Sequence, residues 1–307
     1  MGGSGGGSIY STGDPGQLRR QLDEQAERAE LDSQVNKLLE DTLADVNKRD
    51  TKKINAYLDE IKEALSDQVE DVETILFGGS VAKHTYVDGL SDIDSLVVVK
   101  TAPGTSPTQL REAFAEALRT TLGANVKEVK AGDLAVKVTY PDGTVIQLLP
   151  AVREAQGFAI SSPKGTGWIH IEPQRFAERL TQANGSTLGM AVRVIKLAKS
   201  AIAGLPEQQR LTGYHVEALA IAAFEKYNGP KTPKEMLTHF FRSAAENVKR
   251  PIRDVTGQSP VVDDYLGNPG SADRERTSVQ LGRIARRMES ARSREEWDAI
   301  VNPEESG

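Results

Sequence analysis

The sequence predicts an α+β protein, with a mixed sheet flanked by helices and a helical unit behind it, and three observations predict it. Short apolar or β-branched runs separated by turn residues crowd into residues 72–150. On both sides of that block, apolar residues recur at spacings of three and four, the period of an amphipathic helix. No internal repeat breaks this order along the 307 residues.

Taken from the start, residues 1–16 are rich in Gly and Ser and are expected to form a flexible leader. Residues 17–71 are expected to hold two helices that pack across both units. Leu31, Val35, Leu38, Leu39, Leu43 and Val46 mark the first, and Ile54, Leu58, Ile61 and Leu65 the second, which begins near Thr51. The α/β unit, 72–172, opens with the apolar run Val72–Phe77. Gly78-Gly79-Ser80 breaks that run, and Val81–Tyr86 reads as one or two helical turns. Ser91–Lys100 is a strand, polar at its start and a valine run at its end, and Pro107–Leu122 returns to helical period. Three more strands are expected at Val126–Lys130, Leu134–Tyr140 and Thr144–Pro150, the last two joined by the turn Pro141-Asp142-Gly143. The helical unit, 173–295, carries helical spacing in Gln174–Ala183, Leu188–Ala203, Gly213–Tyr227, Pro233–Asn247 and Ser278–Ser290. Pro260–Asp273 reads as a loop and 296–307 as a tail.

Composition narrows the chemistry. There is no cysteine, so disulfides, thiolate metal sites and cysteine nucleophiles are excluded, and four histidines leave little for a histidine metal site. The 38 Lys and Arg against 44 Asp and Glu give a net charge of −6, against broad binding to duplex nucleic acid. No run of 18 apolar residues exists, and Met1-Gly2-Gly3-Ser4 lacks the pattern of a secretory signal, so a cytoplasmic protein without a membrane span is expected.

The sharpest local feature is Phe77-Gly78-Gly79-Ser80 followed, about a dozen residues on, by Asp92-Ile93-Asp94. On a strand, residues i and i+2 project to one side, so Asp92 and Asp94 stand together and repel unless a cation lies between them. A hard ion such as Mg²⁺ suits such an oxygen pair together with substrate phosphates. Gly78 and Gly79 let the backbone approach a ligand, and Ser80, opening a helix, can add a hydroxyl to a phosphate. Each half alone is an ordinary turn or strand end. In this order they describe a site for a metal-bound nucleoside triphosphate.

This stretch resembles the nucleotidyltransferase signature of the DNA polymerase β superfamily, and within it the cGAS/DncV-like nucleotidyltransferases (CD-NTases), the oligonucleotide cyclases of bacterial CBASS antiphage systems. Val145–Ala151 resembles that family's third catalytic strand, Arg193–Lys199 the helix whose lysine holds the triphosphate, and Thr212–Leu219 a helix start whose tyrosine stacks on a base. The likeness covers roughly residues 30 to 290. It implies a polymerase-β-like core plus a C-terminal helical domain, bilobal with a central cleft. It implies Asp92 and Asp94 as metal ligands, Mg²⁺ or Mn²⁺ as cofactor, ATP or GTP as substrates, and CBASS accessory or effector proteins as partners. One position departs: where the family carries a third metal-binding aspartate, this sequence has Gln147. An amide can offer one oxygen to a metal but is a very poor base. Reliance on other groups, a neighbouring acid, an inactivating substitution and a pseudoenzyme all fit. Asp133 is the nearest stand-in by sequence, and Asp142 reads as a turn residue. Transfer of a nucleotide to RNA or protein is the further alternative.

On the basic helix, Lys196 is the first choice for the triphosphate and Lys199 the second, with Arg193 and Ser200 on neighbouring positions. Tyr214 suits either a core or a base-stacking platform. His84 and His215 read as packing or supporting groups. Arg283, Arg286, Arg287, Arg292 and Arg294 read as a solvated helix face, with a nucleic-acid surface as the minor alternative.

Overall fold

The β-branched runs pair as one mixed sheet, because each has a face that must leave water and a ladder that must be satisfied. The structure, a computed structural model, describes residues 15–47, 51–69, 72–77, 79–87, 93–100, 105–162, 167–206, 209–252 and 262–303. Two N-terminal helices, α1 (Pro15–Asp45) and α2 (Thr51–Gln68), precede β1 (Val72–Phe77), a single helical turn α3 (Gly79–Ala82) and β2 (Ile93–Val99). Then come α4 (Pro107–Leu122), β3 (Glu128–Ala131), β4 (Val136–Thr139), β5 (Val145–Arg153), β6 (Phe158–Ser161) and β7 (Trp168–Ile171). Six helices follow among the described residues: α5 (Pro173–Ser186), α6 (Met190–Ala203), α7 (Gly213–Phe224), α8 (Pro233–Asn247), α9 (Ala272–Ser290) and α10 (Arg294–Val301).

The sheet runs β1-β2-β5-β4-β3, with β6 on the far half of β5 and β7 beyond it. Only β2 and β5 pair in parallel; the other described pairs are antiparallel. Alternation decides the faces. Ile93, Val97 and Val99 of β2 join Val136, Val138, Ile146 and Leu148 in a core roofed by α2 and α4. Within it Phe114 and Leu118 are fully buried, each contributing about 1.5–3 kcal/mol. Leu96, Val98 and Ala151 face the other way, onto Phe158 and Ile160 of β6. α4 begins where Ser106 and Gln109 form a reciprocal capping box ahead of Pro107.

The two N-terminal helices divide their burial. Val35, Leu38, Leu39 and Leu43 of α1 enter the core of the helical unit, whereas Ile54, Leu58, Ile61 and Leu65 of α2 enter that of the sheet. α1 also lies against α10, and Asn302 Nδ2 donates to Thr42 Oγ1 at 3.1 Å.

Several boundaries differ from the sequence expectation. α1 starts at Pro15, inside the expected leader, and residues 1–14 lie outside the described residues. β6 and β7 were not foreseen: each has four residues, and Phe158–Ser161 is buried throughout, so it lacks the alternation that marks a strand. α9 starts six residues before Ser278, because Arg274 is buried there by a carboxylate instead of by apolar packing. The expected tail 296–307 is helical as far as Val301, with Trp297 and Val301 fully buried. Only 304–307 lie outside the described residues.

Candidate active site

After β1 the chain makes the single turn α3, which is shorter than the sequence pattern implies and starts earlier, at Gly79. Ser80 is thereby buried, and its hydroxyl meets no hydrogen-bond partner among the described residues. Thr85 folds back, its amide donating to the Ser80 carbonyl at 2.9 Å. Between them His84 is exposed and takes a φ of 58°, the left-handed region that non-glycine residues seldom occupy. This reversal lets Lys83 and Thr85 reach the same partner on α7.

That partner is Glu217. Its carboxylate, 1 % exposed, accepts hydrogen bonds from Lys83 Nζ and Thr85 Oγ1, and from Lys199 Nζ at 3.2 Å. Lys199 also donates to the Thr85 carbonyl at 2.9 Å. Burial pushes the Lys199 ammonium below the usual lysine range, although Glu217 and Asp94 pull it back up. Burial also works to raise Glu217, but the facing ammoniums of Lys83 and Lys199 outweigh it and hold the carboxyl below its ordinary value. Two lysines thus share the one Glu217 carboxylate, and Asp94 lies close enough to act on Lys199.

Tyr214 packs against this cluster. Its ring lies 4.5 Å from that of Phe176, and Lys83 Nζ stands 5.1 Å from the Tyr214 centroid and 4.7 Å from that of Phe176. Such cation–π contacts contribute about 0.5–2 kcal/mol each.

The sheet contributes Asp94, which acts on Lys199. Parallel register sets Asp94 opposite Gln147, both half-buried and on the face away from the α2–α4 core. A carboxylate and an amide oxygen side by side are hard donors and suit an ion such as Mg²⁺, with less charge than three carboxylates bring. Among the described residues no cluster of three or more acidic or histidine side chains offers a metal cage. Asp92 and Gly78 lie outside the described residues.

Other sequence candidates are placed elsewhere. Lys196, one turn before Lys199, donates to Asn47 Oδ1 after the end of α1, and Arg193 pairs with Glu40 at 2.7 Å. Asp133 is exposed in the turn before β4, and its carbonyl accepts from Ser161. Because Val136 pairs with Leu148 and Lys137 with Gln147, that turn lies toward Pro150, away from the Asp94 row. Asp133 therefore does not stand in for the missing acid. Asp142 is held to about 2 by its hydrogen bond with Lys53 and by Thr144, as a turn residue. Arg283, Arg286, Arg287 and Arg292 are exposed around a surface concavity of about 650 Å³ where α9 meets α10.

His215 sits behind Tyr214, fully buried. Tyr265 Oη lies 2.8 Å from its Nδ1, while Nε2 faces the Asp263 carboxylate at 3.7 Å, which favours the proton on Nε2. Asp263 is itself paired with Arg274 at 2.6 Å. Burial first, and Arg274 second, lower His215 to about 4 against the pull of Asp263. A histidine held below its unfolded value stabilises the fold above the unfolded pKa and loses that contribution as pH falls. We expect stability to drop by roughly 3 kcal/mol between pH 6.5 and 4 from this group, and His215→Gln to flatten that limb of a pH-dependent denaturation series. An unchanged slope in the variant would rule this out.

Glu217 and Lys83 were missed in the sequence. The signal was there: Glu217 is the one charged residue in the otherwise apolar GYHVEALAIAAF of α7.

With this geometry in place, comparison with known families gives one decisive match. The SMODS family, the Second Messenger Oligonucleotide or Dinucleotide Synthetase domain, matches residues 30–184, just over half of the chain. The chain belongs to the SMODS family. It is therefore a nucleotidyltransferase by family. No curated protein sequence was found to match it. In structure this SMODS protein is similar to Bradyrhizobium diazoefficiens CdnG, solved with GTP, at a TM-score of 0.69 and 15 % identity over 87 % of this chain and 95 % of that one. It is likewise similar to E. coli CdnC with ATP, at 0.64 and 14 % over 88 % and 97 %. A mutant Vibrio cholerae DncV with ATP and GTP gives 0.61 and 10 % over 94 % and 91 %. These are likenesses of fold, and they confirm the α+β core with its helical partner. The SMODS match includes Asp94 and Gln147 and stops before Lys199 and Glu217. No helix among the described residues is long and apolar enough to cross a membrane.

Proposed function

We propose that this SMODS protein joins nucleoside triphosphates into cyclic or linear oligonucleotide second messengers, in the cytoplasm and as part of a bacterial CBASS antiphage response. The observation that carries this reading is the approach of Asp94, in register with Gln147, to Lys199 of the Glu217 cluster, beside the buried Ser80 hydroxyl that meets no hydrogen-bond partner among the described residues. The Ser80 hydroxyl and the Gly78–Ser80 backbone hold phosphate, Lys199 and Lys83 supply cations to the triphosphate, and Tyr214 offers its ring to a base. Asp92 and Asp94 hold Mg²⁺ or Mn²⁺, which when bound stabilises charge on the reacting phosphate. Gln147 contributes an amide oxygen and no base, so the proton of the attacking hydroxyl passes to water. ATP and GTP appear in the complexes of the similar proteins, and E. coli CdnC has also been solved with a HORMA protein, which makes an accessory protein a reasonable partner.

The test is incubation with the four NTPs and Mg²⁺ or Mn²⁺, with mass spectrometry of phosphatase-resistant products. Gln147→Asp should raise the rate about 10-fold or more by restoring an acid. No product from either protein would overturn the reading. It would favour a second one, a nucleotide-binding regulator without turnover, for which Gln147 is the specific observation. Label appearing on RNA or protein would instead point to a macromolecular acceptor.

A further inference from the structure

Gln147 belongs to a longer row. Antiparallel register sets Lys137 of β4 directly opposite Gln147, and Lys130 of β3 directly opposite Lys137. Alternation puts all of them on the face that carries Asp94, since Val136, Val138 and Ile146 fill the other. Directly opposed side chains in an antiparallel pair have Cβ atoms about 4.5–5.5 Å apart, so the residue that replaces a carboxylate has an ammonium as its cross-strand neighbour. Lys137 and Lys130 are both exposed.

We propose that the Lys137 ammonium takes the place of one of the two divalent cations of a two-metal nucleotidyl-transfer site, on the side of the attacking hydroxyl. This rests on the nucleotidyl-transfer reading above. Two divalent ions close together need several carboxylates, as paired-metal sites show. With an amide at position 147 and a lysine beside it, the row carries one carboxylate fewer and one fixed positive charge more. That balance suits a single divalent ion, the one held with the triphosphate. The four-carbon stem lets the Lys137 ammonium swing over Gln147 toward Asp94. In the reaction the acceptor hydroxyl oxygen bonds to the α-phosphorus and the bridging bond to the β-phosphate breaks. Pyrophosphate leaves with that electron pair, and the hydroxyl proton goes to water. Lys137 offsets charge on the attacking side. An aspartate placed at position 147 faces the Lys137 side chain across the strands, so its gain is partial until Lys137 is replaced as well.

The experiment counts metal directly. The full chain is titrated with Mn²⁺ in the presence of α,β-methylene ATP or GTP, and bound Mn²⁺ is read by electron paramagnetic resonance. Wild type should bind one Mn²⁺ per analogue, and the double variant Gln147→Asp/Lys137→Thr two. In turnover, Lys137→Thr should lower kcat about 100-fold and Lys137→Arg much less, while Gln147→Asp should gain further from adding Lys137→Thr. Threonine suits an exposed strand position, so folding is preserved. Two Mn²⁺ on wild type, or full activity in Lys137→Thr, would overturn the role of Lys137 and leave nucleotidyl transfer standing. No analogue bound to wild type would overturn both.

Discussion

Replacing Glu217 with Gln is expected to lower stability by roughly 3 kcal/mol, because it leaves the buried ammoniums of Lys83 and Lys199 without a counter-charge. The figure sits at the low end of the range for broken buried pairs, since Gln keeps an oxygen for Thr85 and the lysines. The same loss has a functional sign. In wild type, Glu217 competes with any incoming phosphate for the two cations; in the variant that competition is gone. Pyrophosphate or an NTP should therefore raise the melting temperature of Glu217→Gln more than that of wild type, by linkage. Denaturant unfolding and thermal melts with and without pyrophosphate read both effects. A destabilised variant that gains nothing extra from pyrophosphate would mean the cluster is only structural. Turnover should fall as well, since Lys83 and Lys199 lose the group that aims them.

Asp94→Asn is the second large effect. We expect product formation to drop by about 100- to 1000-fold, the scale seen when a charge-stabilising group is removed from a reacting centre. Fold stability should change little, because Asp94 is half-buried at a strand end and Asn keeps its shape. Gln147→Ala, on the neighbouring strand, should cost at most about 10-fold, because the amide brings neither charge nor basicity. Initial rates for the two variants side by side make the contrast. Equal losses would mean that Gln147 takes a part in the chemistry that an amide alone does not explain.

How much of this could be read before the fold was known depended on what kind of residue carried the information. Periodicity placed the strand holding Asp94 and the helix holding Lys199, and the frame of Val145–Ala151 fixed Gln147. Periodicity failed where burial is not apolar or not alternating. Arg274 enters the interior through Asp263, so α9 looked shorter than it is, and the four buried residues of β6 show no alternation. The cluster around Glu217 failed for another reason. Lys83 and Thr85 lie 134 and 132 residues from Glu217, and no local pattern announces that they meet it and Lys199. Lys137 is similar: its importance comes from register, which the hairpin turn at Pro141–Gly143 sets but does not advertise.

The contact of α1 with α10 has a consequence for how the chain is made. Helix α1 finds one of its partners only when a stretch 260 residues further along has appeared, since Thr42 accepts from Asn302. Until then the apolar stripe of Val35, Leu39 and Leu43 has incomplete cover. α2 and β1, by contrast, can close on α4 and β2 within a short length of nascent chain. The sheet is thus set to fold early on the ribosome and the helical unit late. The interval between them is when the protein depends most on being kept from aggregating.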